Sequence, residues 1–221
     1  MPHAADNRTL KHGCIVMASG VGARFGGNKL MAELCDVPLV GHVVRATDGL
    51  FSRRVVVTCH ADVAALCETL GAQVILHDEP CRNDTVRLGM EAMDGCDTVT
   101  FVQGDQPLIR PASIIALLRA AERDAAGAAR RDAAGRGVAR IWRTSFDGVP
   151  GAPVLFPSWA FDELRSLPRG KGGGFVAKTH AECVRTIEVS SEWELFDVDT
   201  RDDLEQLRTH VARCCSAGLP R

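Results

Sequence analysis

The chain is 221 residues long, 46 % hydrophobic and 24 % charged, which fits one globular domain and excludes a disordered or collagen-like chain. With 26 Lys and Arg against 28 Asp and Glu the formal charge is −2, so no global field draws it to nucleic acid or to an anionic membrane, and a phosphate ligand has to be held by local groups. No run approaches the roughly 20 apolar residues of a bilayer span, and the polar start 1–11 lacks the apolar core of a signal peptide, so the expected location is the cytoplasm.

The nine Cys (Cys14, Cys35, Cys59, Cys67, Cys81, Cys96, Cys183, Cys214, Cys215) include no CxxC pair. That spacing argues against zinc and against a disulfide framework, and most of them are expected to act as small buried hydrophobes.

Short β-branched runs bounded by turn residues alternate with amphipathic stretches, the pattern of a parallel sheet covered by helices. Residues 14–18 form the first strand; 54–59, 73–77, 98–103 and 184–189 read as further strands, with 138–142 and 154–156 weaker. Between them, Pro38 and Pro111 stand where helices open and Gly71 where one ends. Residues 119–140 are rich in Ala and Arg and are broken by Gly127, Gly135 and Gly137, so the first half extends a helix and the second half loops. A basic face there could meet nucleic acid, but no aromatics interleave for base stacking, and a solvated helix face is expected. The Cys214-Cys215 pair reads as a helix face rather than a redox pair, since no cationic neighbour is evident to make a thiolate. The expected architecture is a single α/β domain over 1–221, a Rossmann-like three-layer sandwich with a mostly parallel sheet, bounded by tails at 1–11 and 214–221.

The first strand runs into Ala18-Ser19-Gly20-Val21-Gly22-Ala23-Arg24-Phe25-Gly26-Gly27-Asn28-Lys29. Glycine lets backbone N–H groups approach an anion closely, and Arg24 and Lys29 supply cationic partners, so this loop can cradle phosphates. The plain alternative is an ordinary strand-to-helix turn. A Walker A loop is excluded because Asn28 separates Gly27 from Lys29 and Leu30 follows where a hydroxyl is needed. A dinucleotide fingerprint is excluded because Phe25 occupies the third glycine position.

The strand at 98–103 leads into Gly104-Asp105-Gln106-Pro107. Ligands of open α/β sheets bind beyond the carboxyl ends of the strands, so Asp105 is placed to face the Gly-rich loop, where a carboxylate suits Mg²⁺. A lone Asp in a turn serves structure about as often as function. A second acidic cluster, Asp197-Val198-Asp199-Thr200, precedes a helix. Thr200 and Asp203 have the spacing of a capping box, which leaves Asp197 and Asp199 unexplained. Asp199 completes a metal site if its strand lies beside the one that carries Asp105.

Taken together, these segments resemble the MobA-like nucleotidyltransferases, and within them the molybdenum cofactor cytidylyltransferases. Residues 17–29 are similar to the family's LAAGxSxRMGxxK opening, with Ser19 for the second Ala; Asn83-Asp84-Thr85-Val86-Arg87-Leu88-Gly89 is similar to SSLRxGL, with Thr85 for Ser. Gly104-Asp105-Gln106-Pro107 matches GDQP. Residues 150–156 resemble GHPVLF with Ala152 for His, residues 170–174 resemble GDKGG with Gly170 in place of the acid, and residues 196–200 resemble the start of DIDTPEDL. The resemblance implies the nucleotide-diphospho-sugar transferase type of fold and transfer of CMP from CTP, or of another nucleotide, to a molybdopterin-type or other phosphate acceptor with release of pyrophosphate. A molybdoenzyme would then be a partner.

By the same resemblance Ala18, Ser19, Gly20, Gly22, Arg24, Lys29, Asn83, Thr85, Arg87 and Gly104 bind the nucleotide, and Arg24, Lys29 and Asp105 carry catalysis. Asp105 and Asp199 hold Mg²⁺, with Mn²⁺ as a substitute, and Pro153, Lys171, Gly172 and Gly173 receive the acceptor. The substitutions at 19, 85, 152 and 170 leave open a relative with a different acceptor. Two other readings compete. A nucleotide-sugar glycosyltransferase shares the sheet but usually carries an adjacent DxD, whereas Pro107 stands two residues after Asp105; a non-catalytic nucleotide or cofactor chaperone would bind without releasing pyrophosphate.

Overall fold

The structure, a computed structural model, describes residues 9–79, 81–129 and 139–216. The chain runs β1 (His12–Met17), β2 (Glu33–Leu34), β3 (Val37–Pro38), α1 (Leu39–Ala46), β4 (Arg53–Thr58), α2 (Ala61–Thr69), β5 (Gln73–Leu76), α3 (Arg82–Glu91), β6 (Thr98–Gln103) and α4 (Pro111–Ala129). It continues through β7 (Ile141–Phe146), β8 (Val149–Pro157), α5 (Phe161–Arg165), α6 (Gly173–Thr179), β9 (Val184–Glu188) and α7 (Arg201–Ser216).

Seven strands form one sheet in the order β5-β4-β1-β6-β8-β7-β9, in which β8 alone runs antiparallel to its neighbours. The period-2 alternation of β1 separates its side chains between two cores. Ile15 joins Val55, Val57 and Phe101 beneath Val86 and Met90 of α3 and Leu164 of α5. Cys14 and Val16 join Val56 and Val102 beneath Val40 and Val43 of α1, Val63 of α2 and Ile114 of α4. The result is the expected three layers with helices on both faces. In α3, Gly89 lets the helix backbone approach β1, because a Cβ there would lie 2.8 Å from Ile15 Cγ2.

Several boundaries move. Gly71 (φ +74°) follows α2 and Pro111 opens α4 as the sequence indicates, while Pro38 ends β3 and stands one residue ahead of α1. The β2–β3 hairpin has no sequence signal, because its turn places Cys35 (φ 51°) and Asp36 (φ 60°) in the left-handed region where glycine is usual. The expected strand at 154–156 is the middle of the longer β8, and the one at 138–142 is displaced to Ile141–Phe146; residues 130–138, including Gly135 and Gly137, lie outside the described residues. The C-terminal helix continues through Cys214 and Cys215 to Ser216, so the pair lies on a helix and residues 214–216 are not a tail. Of the cysteines only Cys14 and Cys67 are buried; Cys59 and Cys81 are half-buried near the strand ends, and Cys35 sits exposed in the hairpin turn. Among the described residues no helix is long and apolar enough to cross a membrane.

Candidate functional site

Met17 of β1 is level with Val57 of β4 and with Gln103 of β6, so these parallel strands end together and the chain leaves them on one side of the sheet. A crevice of about 1120 Å³ opens there. One wall is the Gly-rich loop, Ser19 to Arg24 with Lys29; the floor carries Asp105 and Gln106; the far wall is the β7–β8 hairpin and the segment that carries Asp197 and Asp199.

The loop is shaped by one glycine above all. Gly22 has φ +59°, its carbonyl accepts from the N–H groups of Phe25 (2.9 Å) and Gly26 (3.1 Å), and a Cβ on it would collide with the Gly27 carbonyl oxygen. Ser19 is tied in differently. The backbone N–H of Glu79 donates to His77 Nδ1 (3.1 Å), which leaves the proton on Nε2 to be donated to Ser19 Oγ (2.8 Å); Ser19 Oγ then donates to the Val57 carbonyl (3.1 Å). Burial pulls His77 below the usual histidine value, against the smaller opposing effect of Glu79, Asp84 and Asp78. At the mouth, the ring N–H of His60 donates to the Gly20 carbonyl (3.0 Å).

The charges meet at the base of the loop. Lys29, whose side chain is only 7 % exposed, donates to Asp105 (2.6 Å) and to Asp199 (2.8 Å), and Arg24 donates to the other oxygen of Asp199 (2.7 Å). Burial opposes the Lys29 charge, but the two carboxylates outweigh it and raise its pKa, so the ammonium stays charged. The same lysine, with Arg24, holds Asp199 below the usual carboxylate range in spite of partial burial. Asp197, open to the crevice yet enclosed by its walls, goes the other way: loss of solvent, then repulsion by Asp105 and Asp199, pushes its carboxyl up to about 6.

Asp199 reaches Asp105 by a route different from the one its sequence position implies. β9 lies at the sheet edge beside β7, separated from β6 by two strands. The chain returns across those strands after β9, and Val198 N–H donates to the Asp105 carbonyl (3.1 Å), which sets Asp199 beside Asp105. Thr200 and Asp203 then cap α7 reciprocally: Asp203 N–H donates to Thr200 Oγ1 (3.1 Å), and Asp203 Oδ2 accepts from the N–H groups of Thr200 (2.7 Å) and Asp199 (3.0 Å).

The other expected site residues divide. Thr85 lines the crevice and is buried; Ala18 is buried beneath the loop; Gly104 lets β6 turn against β1, with its N–H on the Met17 carbonyl (3.0 Å). Asn83 accepts from Gly170 N–H (2.8 Å) and so fixes the 169–172 loop. Arg87 does not reach the crevice; it is half-exposed and paired with Glu91 (2.8 Å) one turn on. Lys171 and Gly172 line a separate hollow of about 680 Å³ that shares Arg82 with the main crevice, Gly173 packs on Phe156, and Pro153 follows the crevice-lining Ala152. Residues that sequence reasoning missed are Arg82, His77 and Arg143, which lack a local motif, and Gln106, which the sequence places in the GDQP segment without a role. Arg143 sits on β7, half-buried against the crevice, with Nε and Nη2 donating to the Gly151 carbonyl (3.1 and 2.9 Å).

Asp105 and Asp199 already share one cation between them, the Lys29 ammonium. Mg²⁺ takes one or two carboxylates and completes its shell with phosphate oxygens and water, and this donor set fits it. Among the described residues no group of three or more His, Cys, Asp and Glu is placed to hold a metal by itself.

The MobA-like NTP transferase domain model matches residues 14–184. The chain belongs to that family. The family stretch contains the Gly-rich loop and Asp105 but stops short of Asp199. Among curated proteins, a 3-deoxy-manno-octulosonate cytidylyltransferase of Anaeromyxobacter sp. (strain Fw109-5) is 34 % identical over 122 residues, which are 51 % of this chain and 48 % of that enzyme. The chain thus spans about half the length of the curated relatives it matches. Among solved structures, the homologue of Mycobacterium tuberculosis rv0371c from Mycobacterium sp. strain JC1 superposes with TM-score 0.74 at 24 % identity, over 91 % of this chain and 97 % of that one. The CMP:2-keto-3-deoxy-manno-octonic acid synthetase complexed with CTP superposes with TM-score 0.66 at 18 % identity, over 92 % and 99 %. These likenesses confirm the fold of the family member described here.

Proposed function

We propose that this family member is a divalent-metal-dependent cytidylyltransferase that moves CMP from CTP to a phosphate-bearing acceptor, of the molybdopterin type, and releases pyrophosphate. The observation that carries the reading is the convergence of Lys29 and Arg24 with Asp105 and Asp199 at the foot of a glycine loop. Backbone N–H groups around Gly20 and Gly22 hold the triphosphate, and Arg24 and Lys29 neutralise the charge that builds on the departing pyrophosphate. An acceptor oxygen attacks the α-phosphorus while the bond from that phosphorus to the β-phosphate oxygen breaks. Asp105 and Asp199 would hold the metal ion, whose chemistry is to offset charge on the reacting phosphates. Lys29 would give up part of its carboxylate pairing to a metal ion held there, which leaves its ammonium available to the phosphates.

The choice of cytosine rests on the resemblance at residues 103–107, 150–156 and 170–174, and cytidylyl transfer is also what the name of the curated relative states. That relative favours a second acceptor class, a sugar acid, over the same donor chemistry.

Thermal unfolding in the presence of CTP, GTP, ATP or UTP, each with and without Mg²⁺, tests the donor. A ligand at about 100 times its Kd adds roughly 2.7 kcal/mol, so Mg²⁺-dependent stabilisation by CTP above the other nucleotides is expected, and its loss in Asp105→Ala. Indifference to every nucleotide, or full stabilisation and turnover in Asp105→Ala, would refute the assignment.

A further inference from the structure

The cations of the crevice fall into two kinds. Lys29 and Arg24 face carboxylates; Arg82, which the crevice shares with the second hollow, and Arg143, on the opposite wall, pair with no carboxylate among the described residues, and of these two Arg143 is the one fixed in place by hydrogen bonds. Its guanidinium is half-buried, its hydrogen bonds go only to the Gly151 carbonyl, and no carboxylate among the described residues pairs with it. Burial lowers its pKa with nothing opposing, yet a guanidinium remains charged at any physiological pH. Among the described residues no hydrogen bond engages Nη1, and Arg143 lines the crevice.

A partly desolvated cation without a counter-charge is destabilising, and a strand residue could meet the same carbonyl with a neutral donor. Burial of this kind is explained when the missing anion comes from a ligand. The triphosphate wall is on the other side of the crevice, at the Gly-rich loop, where the cations are already matched to acids. We infer that Arg143 is the receptor for the anionic group of the acceptor, a phosphate or a carboxylate, which it grips through Nη1 and Nη2 while Gly151 holds the guanidinium in plane. This assignment rests on the transferase reading for the identity of the second ligand, but anion binding at Arg143 stands without it. Planar, two-pronged recognition of an oxyanion is what distinguishes arginine from lysine here.

The test is a calorimetric titration with methyl phosphate and with sodium acetate. It uses protein first saturated with a CTP analogue, with methylene in place of the α,β-bridging oxygen, plus Mg²⁺ to occupy the triphosphate wall. Wild type is expected to bind one of the two probes, and Arg143→Gln to bind it at least tenfold more weakly, with Arg143→Lys in between and affinity for the analogue unchanged in both variants. Preference for methyl phosphate assigns a phosphate acceptor, and preference for acetate a carboxylate. Equal probe affinity in wild type and Arg143→Gln, or no binding of either probe to wild type, overturns the proposal; a lower melting temperature with unchanged probe affinity would show that Arg143 serves only to hold the hairpin. If the analogue itself fails to bind, the cytidylyl reading fails, and the same probe titration on free protein still decides the role of Arg143.

Discussion

Ser19 and His77 are joined by a hydrogen bond whose direction is set by a backbone amide. Because Glu79 N–H donates to Nδ1, the ring has to be neutral to accept it, and the lowered pKa of His77 follows the same preference. The sign of its effect on stability is therefore fixed. Between the lowered native value and the ordinary 6.5 the unfolded chain binds more protons than the native one, so the contribution of His77 is complete above 6.5 and is lost as pH falls through the native value. Urea unfolding from about pH 7.5 down to about pH 5 should show a midpoint that declines less steeply in His77→Gln than in wild type; parallel curves would mean that the ring titrates alike in both states. This contact was not legible in the sequence. Ser19 appears there as a departure from the family pattern and as a nucleotide contact, His77 only as the end of a strand, and no spacing rule links residues 58 positions apart. Asp105, Arg24 and Lys29 were legible because glycines and a proline mark their turns.

At the level of elements the capping box of α7 does two jobs. It satisfies the Asp203 N–H in the first turn of the helix, and through the Asp203 carboxylate on Asp199 N–H it anchors the backbone of a site residue. Burial works against ionisation of Asp203, but the bonds from Thr200 and Asp199 outweigh it and lower its pKa. Thr200→Ala should cost about 1 kcal/mol in chemical denaturation and should also weaken metal-dependent nucleotide binding, whereas a cap with no tie to the site would affect stability alone. The strands of the parallel half were readable from β-branched runs. The β7–β8 hairpin was read too short, since Pro150, Gly151 and Pro153 interrupt a strand whose antiparallel pairing continues to Val149. Arg143 stayed hidden for the same reason: it falls just past the strand read at 138–142, and its burial depends on the strands on either side of it.

For the molecule as a whole, the centre of the crevice pairs Asp105 and Asp199 with Lys29 and Arg24 before any ligand arrives. A metal ion alone has to displace protein cations for little gain, while a nucleotide brings the phosphate oxygens that complete its shell. Mg²⁺ alone should therefore raise the melting temperature little, and Mg²⁺ with CTP by more than the sum of the two separately; additivity would show that metal and nucleotide bind independently.

The return of the chain from β9 to Asp105 also sets an order in time. Synthesis runs from the amino terminus, and here the glycine loop, Asp105 and all seven strands of the sheet precede Asp199 in the chain. Until Asp199 has emerged from the ribosome, Lys29 has Asp105 but lacks its second carboxylate, and Arg24 has no carboxylate to pair with. The charged centre is thus completed only by a segment translated after every strand of the sheet, so its assembly waits on the return of the chain from β9.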